Sequence, residues 1–286
     1  MRFERYGDPV VFRDVIAPVV AAEPARFTTV SSVVHGLIET PEAAVGATML
    51  CGFDAETPVG AVVRMPPRPF NVAVSSDLGD ELPFLVGLVD ELAGVDDATF
   101  AGPRRAMEQL VPLWAAARGF EPEPMTSMML YRLNVLLQHR SVDGIARRGG
   151  IGDIDLLARW FRDFERESIR GIDDPRPDPD AIRARFARGV HLWLWESGGE
   201  PVAMAGATAV LGQTARIGPV YVRPERRGRG FGAAVTSAAV KATIARGARE
   251  VVLFTDEDYR PSNSVYRSIG FEPVERYLEL TAIQRA

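Results

Sequence analysis

Gly218-Pro219-Val220-Tyr221-Val222-Arg223-Pro224-Glu225-Arg226-Arg227-Gly228-Arg229-Gly230-Phe231-Gly232 reads as a strand, a proline-bearing turn, three glycines on alternate positions and the start of a helix. Glycine lets the backbone approach a ligand closely and take positive φ, and the first amides of a helix point outward without acceptors. Those amides and the positive end of the helix dipole make a local anion site, which is what a pyrophosphate needs. Arg226, Arg227 and Arg229 add charge. Two other phosphate loops are excluded by spacing. A Walker loop carries Lys and then Ser or Thr after its last glycine, whereas Ala233 and Ala234 follow Gly232. A Rossmann fingerprint is G-x-G-x-x-G with an acid beyond the next strand, and Gly228, Gly230 and Gly232 are spaced G-x-G-x-G.

Working outward, Leu157, Trp160, Phe161, Phe164 and Ser168 recur at helical spacing and predict an amphipathic helix over 154–168. A shorter helix follows over 181–188. Strands are expected at 191–195 and 202–211, joined by a turn at 197–200, and at 215–222. The helix over 228–246 is rich in Ala and Val and suited to close packing. A strand at 251–254, a helix at 261–269 and a closing strand at 277–281 complete the order α, α, β, β, β, α, β, α, β. The first half reads as a looser version, with helices at 12–20, 26–38, 82–93 and 104–118 and strands at 49–53 and 59–64. Gly119-Phe120-Glu121-Pro122 recurs as Gly270-Phe271-Glu272-Pro273, each copy between a helix-like and a strand-like segment, which points to duplication. The break between halves is expected where His139 to Gly144 and Arg147 to Gly150 interrupt the apolar pattern, giving domains 1–138 and 151–286. Asp173 to Asp180 reads as a loop between helices that ends in a helix N-cap.

The chain has 286 residues, 47% of them apolar and 25% charged, the balance of a folded globular protein with two domains. No run approaches ~18 apolar residues, so a membrane span is not expected. The N-terminus lacks the apolar stretch of a secretory signal. Thirty-three basic against 38 acidic residues give a net charge of -5. That balance argues against nucleic acid as the main partner and makes any anion site local. The single Cys51 forms no intramolecular disulfide, which fits a reducing cytoplasm. His35, His139 and His191 are too far apart for helical metal-ligand spacing, so no metal is expected.

The segment from Arg227 to Gly232 resembles the pyrophosphate loop of the GNAT superfamily of acyl-CoA-dependent N-acyltransferases, Q/R-x-x-G-x-G/A after a strand and a proline turn. The resemblance extends over the order of elements from about Ile151 to Ala286. It implies an α/β (α+β) fold of two GNAT-like domains, each a mixed, mostly antiparallel sheet flanked by helices. It implies that Val220, Tyr221 and Val222 present backbone groups to a pantetheine arm. Arg227, Gly228, Arg229, Gly230, Phe231 and Gly232 would hold the pyrophosphate of acetyl-CoA. Ser262 to Phe271 is similar to the family's last helix, in which a tyrosine four residues before Gly-Phe protonates the departing thiolate. Tyr266 occupies that place. Where many members have a cofactor-binding asparagine, seven residues before this tyrosine, the chain has Tyr259, and Asn263 is the nearby substitute. The match favours a glycine N-acyltransferase-like bacterial branch over tandem acyltransferases of the mycothiol synthase type. A non-catalytic acyl-CoA sensor would need the glycine loop but not Tyr266.

In the first half Ala115 stands where the tyrosine should be, and Ser75 to Glu81 places acids where a phosphate needs cations. That half is expected to have lost cofactor binding, leaving one active site per chain. The general base is less evident: Glu165, Glu167, His191 and Asp256 are candidates, with a water chain as competitor. Cys51 has no evident base partner and is not expected to act as a nucleophile. The expected acceptor is an amine of a small molecule or peptide. Oligomeric state is left open, a homodimer included.

Overall fold

A computed structural model describes residues 1–95, 98–168 and 177–284. The first half of the loop expected from Asp173 to Asp180 lies outside the described residues, but its end is as anticipated: the Asp178 carboxylate accepts from the Ala181 amide and caps the next helix. The chain divides into two compact units, Met1–Met128 with Glu275–Ala286, and Met129–Val274.

The first half contains β1 (Arg2–Arg5), α1 (Pro9–Ala22), α2 (Thr28–Glu39), β2 (Thr48–Asp54), β3 (Thr57–Arg64), β4 (Phe70–Val74), α3 (Leu82–Glu91), β5 (Thr99–Pro103), α4 (Arg104–Ala116) and β6 (Phe120–Leu133). The second repeats that order: β7 (Ile145–Arg148), α5 (Ile154–Ser168), α6 (Pro179–Ala187), β8 (His191–Ser197), β9 (Glu200–Ala207), β10 (Thr214–Val222), α7 (Phe231–Ala245), β11 (Glu250–Asp256), α8 (Arg260–Ser268) and β12 (Phe271–Gln284). The pairing repeats too. Strands β1 to β4 are antiparallel neighbours and β4 runs parallel to β5; β7 to β10 are antiparallel neighbours and β10 runs parallel to β11. Gly119 and Gly270, the first residues of the repeated tetrapeptide, both end a helix at positive φ, +70 and +100. The duplication read from four residues is thus a duplication of the whole element order.

The last strand of each half serves the other unit. In the first unit Tyr277 to Thr281 of β12 runs antiparallel to β5, Tyr277 opposite Pro103, and Leu278 and Leu280 enter the core with Phe100, Leu110 and Trp114. In the second, β6 lies beside β11, and Tyr131 enters the core with Val235 and Phe271. The observed units therefore differ from the expected 1–138 and 151–286. Two 14-residue strands, roughly 46 Å long at ~3.3 Å per residue, run out of the half that encodes them. The segment taken for a linker also holds a strand, β7, too short to show a period.

The second unit is layered. Ala203, Ala205 and Ala207 of β9 belong to the core under α7, and Met204 to the core under α5 with Leu157, Trp160 and Phe161. Small side chains on β9 and α7 (Ala233, Ala234, Ala239) bring helix and sheet close together, and this buries apolar surface from water. The first unit repeats the pattern, with Phe12, Ile16, Val34 and Leu37 of α1 and α2 on the face opposite α3 and α4. No helix of the described residues is long and apolar enough to cross a membrane.

Candidate functional site

β10 and β9 pair with Ile217 opposite Ala207 but Val220 opposite Ala205, so three steps along β10 match two along β9 and the strand bulges at Gly218-Pro219. A bulge leaves one residue unpaired and bends its strand. On the other edge β10 pairs with β11 only from Thr214 to Ile217. Past the bulge Val220, Tyr221 and Val222 have no partner in that register, and among the described residues the backbone edge facing β11 is open apart from the Val222 carbonyl, which Arg227 engages. Gly206 permits this geometry, because a Cβ there would lie 2.5 Å from the Gly218 carbonyl oxygen. The Tyr221 side chain is buried against Trp160, with ring centroids 5.8 Å apart. Past the bulge this stretch therefore leaves backbone groups, and not the Tyr221 side chain, on the side of β11.

The glycine turn follows. Gly228 (φ +74) and Gly230 (φ +87) are in the left-handed region, and Gly230 forms the N-cap of α7 without any side-chain cap. The Phe231 side chain is buried in the core and anchors the helix start. The first amide of the helix to find an acceptor is that of Ala234, on the Gly230 carbonyl. Among the described residues no acceptor is paired with the amides of residues 228 to 233. Six consecutive donors thus lie near the positive end of a 15-residue helix, an arrangement that favours negative charge.

Arg227, expected to hold phosphate, has partners within the second unit. Its Nε donates to the Val222 carbonyl at 3.0 Å and its Nη2 to Glu167 at 2.6 Å, tying the end of β10 to α5. Arg223 and Arg226 face Glu200 at 3.5 and 3.9 Å. Arg229 makes neither an ion pair nor a hydrogen bond among the described residues. It opens into a cavity of about 980 Å³ lined also by Arg226, Gly228, Gly230, Phe231, Ser197 and residues 140–143. The sequence reading missed this last segment, because a charged, Gly-terminated stretch between two apolar patterns has the composition of any linker.

Tyr266 lies on α8 with its ring buried edge-on to Phe271, 6.2 Å between centroids. Burial raises its phenol above the ordinary value, so it remains a proton donor at neutral pH. Its hydroxyl makes no hydrogen bond to a described residue. Asn263, one turn earlier, is differently employed. Its Nδ2 donates to the carbonyls of Asp256 (2.9 Å), Glu257 (3.3 Å) and Tyr259 (3.0 Å), and its Oδ1 accepts from the Tyr131 hydroxyl at 2.9 Å. Asn263, expected to contact the cofactor, thus also holds the β11–α8 turn.

Of the base candidates, Glu167 is paired with Arg227, and the Asp256 Oδ1 accepts from the Asp258 amide at 2.8 Å. His191 stands near Arg148 and Arg246; burial, then those two charges, lowers its pKa to about 4. Arg246 is the C-cap of α7, the far end of that helix from the open amides. Glu165 alone of the four makes no ion pair or hydrogen bond among the described residues. Those residues include no group of three or more His, Cys, Asp or Glu placed to hold a metal ion. Cys51 is buried, and burial, with Glu4 adding to it, pushes its thiol up to about 12.

The corresponding turn of the first unit is closed from within. Glu23 Oε1 accepts from the Ser75 hydroxyl and the Ser76 amide at 2.6 and 2.9 Å, Ser75 Oγ accepts from Asp77, and Asp80 Oδ1 accepts from Leu82. Its own side chains already serve as the anion. Arg26 is held between Glu23 and Glu275, at 3.2 and 2.8 Å. Ala115, at the tyrosine position, is buried in the core.

Residues 155–271 match the Acetyltransferase (GNAT) family model. The mycothiol acetyltransferase of a Nocardioides species is 40% identical over 181 residues, 55% of this chain and 60% of that protein. That of an Arthrobacter species is 47% identical over 58 residues, 19% and 18% of the two. The chain thus spans less than two thirds of the length of these curated relatives. A solved tandem GNAT protein from the clavulanic acid biosynthesis pathway aligns over 100% of this chain and 99% of its own, with a TM-score of 0.60 at 18% identity, a likeness of fold. The curated relatives lie on the mycothiol side of the two branches weighed from the sequence.

Proposed function

We propose, on the premise that this chain carries a GNAT acetyltransferase domain, that it transfers an acetyl group from acetyl-CoA to the amine of a small molecule at one site, in the second unit. The observation that carries this reading is the run of open amides from residue 228 to 233, set in a cavity with an unpaired Arg229. Pyrophosphate would take those amides, and the pantetheine arm would pair with the open edge of Val220, Tyr221 and Val222.

The amine nitrogen attacks the thioester carbonyl carbon directly. The developing oxyanion accepts from a backbone amide on the open edge of β10, preorganised by the bulge. As the carbon–sulfur bond breaks, Tyr266 gives its proton to the sulfur, and the phenolate is reprotonated from solvent. The ammonium proton leaves to water or to Glu165. A positioned acid contributes roughly 10²- to 10⁴-fold. Tyr266→Phe is therefore expected to lose that much turnover while acetyl-CoA affinity stays unchanged. A non-catalytic acyl-CoA sensor would show no acyl transfer for the change to affect.

Titration calorimetry with acetyl-CoA tests the reading, and one saturable site per chain is expected. No binding, or two sites, overturns it. A second reading, favoured by 40% identity over 181 residues, is that the acceptor is the amine substrate of the mycothiol acetyltransferases. A screen that sets that amine beside polyamines, amino acids and peptide N-termini distinguishes it from the others.

A further inference from the structure

One wall of the cavity comes from outside the glycine turn. Residues Arg140 to Asp143 precede β7, and several contacts fix them. The Asp143 carbonyl accepts from Trp195 Nε1 at 3.0 Å and its carboxylate from the Ser197 hydroxyl at 2.9 Å. The His139 ring stands edge-on to Trp195 with centroids 6.3 Å apart. Val142 lies so near the turn that a Cβ on Gly230 would come within 2.9 Å of its Cγ1. This pinned segment brings Arg140 to the same cavity as Arg229.

The cations around the cavity are not equivalent. Arg223 and Arg226 face Glu200, and Arg227 is paired with Glu167. Arg140 and Arg229 have no ion pair or side-chain hydrogen bond among the described residues, and the Asp143 carboxylate is engaged by Ser197. A cavity of about 980 Å³ has room for more than a pyrophosphate on the helix amides. The wall that the glycine turn does not supply thus carries a guanidinium placed to take a second, separate anionic group.

We infer that Arg140 binds the phosphate monoester on the ribose of coenzyme A, so that the site selects the phosphorylated cofactor over its dephospho form. The inference rests on the acetyl-CoA reading above. A phosphate monoester carries close to two charges at neutral pH and three acceptor oxygens, which suit the planar fork of arginine. Arg140 is exposed and sits in a loop, so its substitution leaves both cores intact.

The test titrates the full chain and its Arg140→Gln variant with coenzyme A and with dephospho-coenzyme A. The wild type is expected to bind coenzyme A about tenfold more tightly, the scale of a charge-assisted contact. Arg140→Gln should bring coenzyme A down to the dephospho level and leave dephospho-coenzyme A affinity unchanged. Arg140→Lys, which keeps charge but not the fork, should retain part of the preference. Equal affinities in the wild type, a preference that survives Arg140→Gln, or equal weakening of both nucleotides overturns the inference and leaves the acetyl-CoA reading standing. Failure of the wild type to bind either nucleotide overturns both.

Discussion

Replacing Gly230 with alanine is expected to weaken acetyl-CoA binding, and replacing Gly232 is not. Gly230 has φ +87 and ψ 0, and an L-residue held in the left-handed region costs about 1–2 kcal/mol. Its new Cβ would also lie 2.9 Å from Val142 Cγ1, where ordinary contacts begin at 3.4 Å, so Val142 must give by 3.4 − 2.9 = 0.5 Å. The turn escapes both penalties by leaving positive φ, and doing so redirects the open amides. A cost of about 1–2 kcal/mol corresponds to roughly a five- to thirtyfold loss of affinity. Gly232 is in the first turn of α7 without positive φ, and its Cβ would meet only Val222 Cγ2 at 3.5 Å. Alanine there gains roughly 0.5–1 kcal/mol of helix preference. Gly228→Ala, at φ +74 with open space around it, should fall between them. Calorimetric titration and thermal unfolding of the three variants measure the series. Wild-type affinity and melting temperature in Gly230→Ala, or equal losses in Gly230→Ala and Gly232→Ala, would refute the reasoning.

Asn263→Ala removes hydrogen bonds to three carbonyls and takes away the acceptor of the buried Tyr131 hydroxyl. The expected loss is about 2–4 kcal/mol of stability, seen as a lower denaturation midpoint, with acetyl-CoA stoichiometry preserved in the folded fraction. Arg26→Met leaves Glu23 and Glu275 mostly buried without their cation and should cost about 2–3 kcal/mol, below the cost of breaking a fully buried pair. Burial already raises Glu275. A raised folded pKa favours the native state at low pH and loses that advantage as pH rises, so this variant should regain stability as pH falls through the carboxylate range; unfolding curves between pH 4 and 8 (about the span needed) decide the sign. Burial also raises Tyr266, so turnover against pH should show no alkaline fall near the ordinary tyrosine value of ~10; a fall there would place the acid elsewhere.

The second unit was largely legible because its elements are long and its chemistry sits on one contiguous loop. The amphipathic stripe of α5 and the run from Gly218 to Gly232 each carry several independent local signals. The short strands β1, β4, β5 and β7 went unread because four or five residues are too few to establish a period, and neighbours across the sheet define them. The domain boundary was misplaced for the same reason: pairing of Tyr277 with Pro103 is a contact between residues 174 apart (277 − 103). Local sequence likewise marked Arg227 and Asn263 as ligand contacts by position, and it did not show that Glu167 and Tyr131, far away in sequence, engage them. Arg140 was hidden by composition alone.

The exchange of last strands gives the first half a structural part in the second unit. The first unit has the architecture of an acyltransferase, but Glu23, Ser75 and Asp80 occupy amides in the turn where the second unit leaves its amides open. Such a half would be dispensable if each unit were complete. It is not, because β6 is encoded in the first half and lies beside β11 in the second unit. Its Tyr131 is fully buried, gives its hydroxyl proton to Asn263 and accepts from Arg267 Nε at 3.2 Å. Asn263 and Arg267 flank Tyr266 on α8, so the first half supplies the strand that fixes the helix carrying the proposed acid. In return Leu278 and Leu280 of β12 fill the core of the first unit. Each unit lacks a core strand without the other half of the chain, and loss of the first half would remove Tyr131 from the core on which α8 rests.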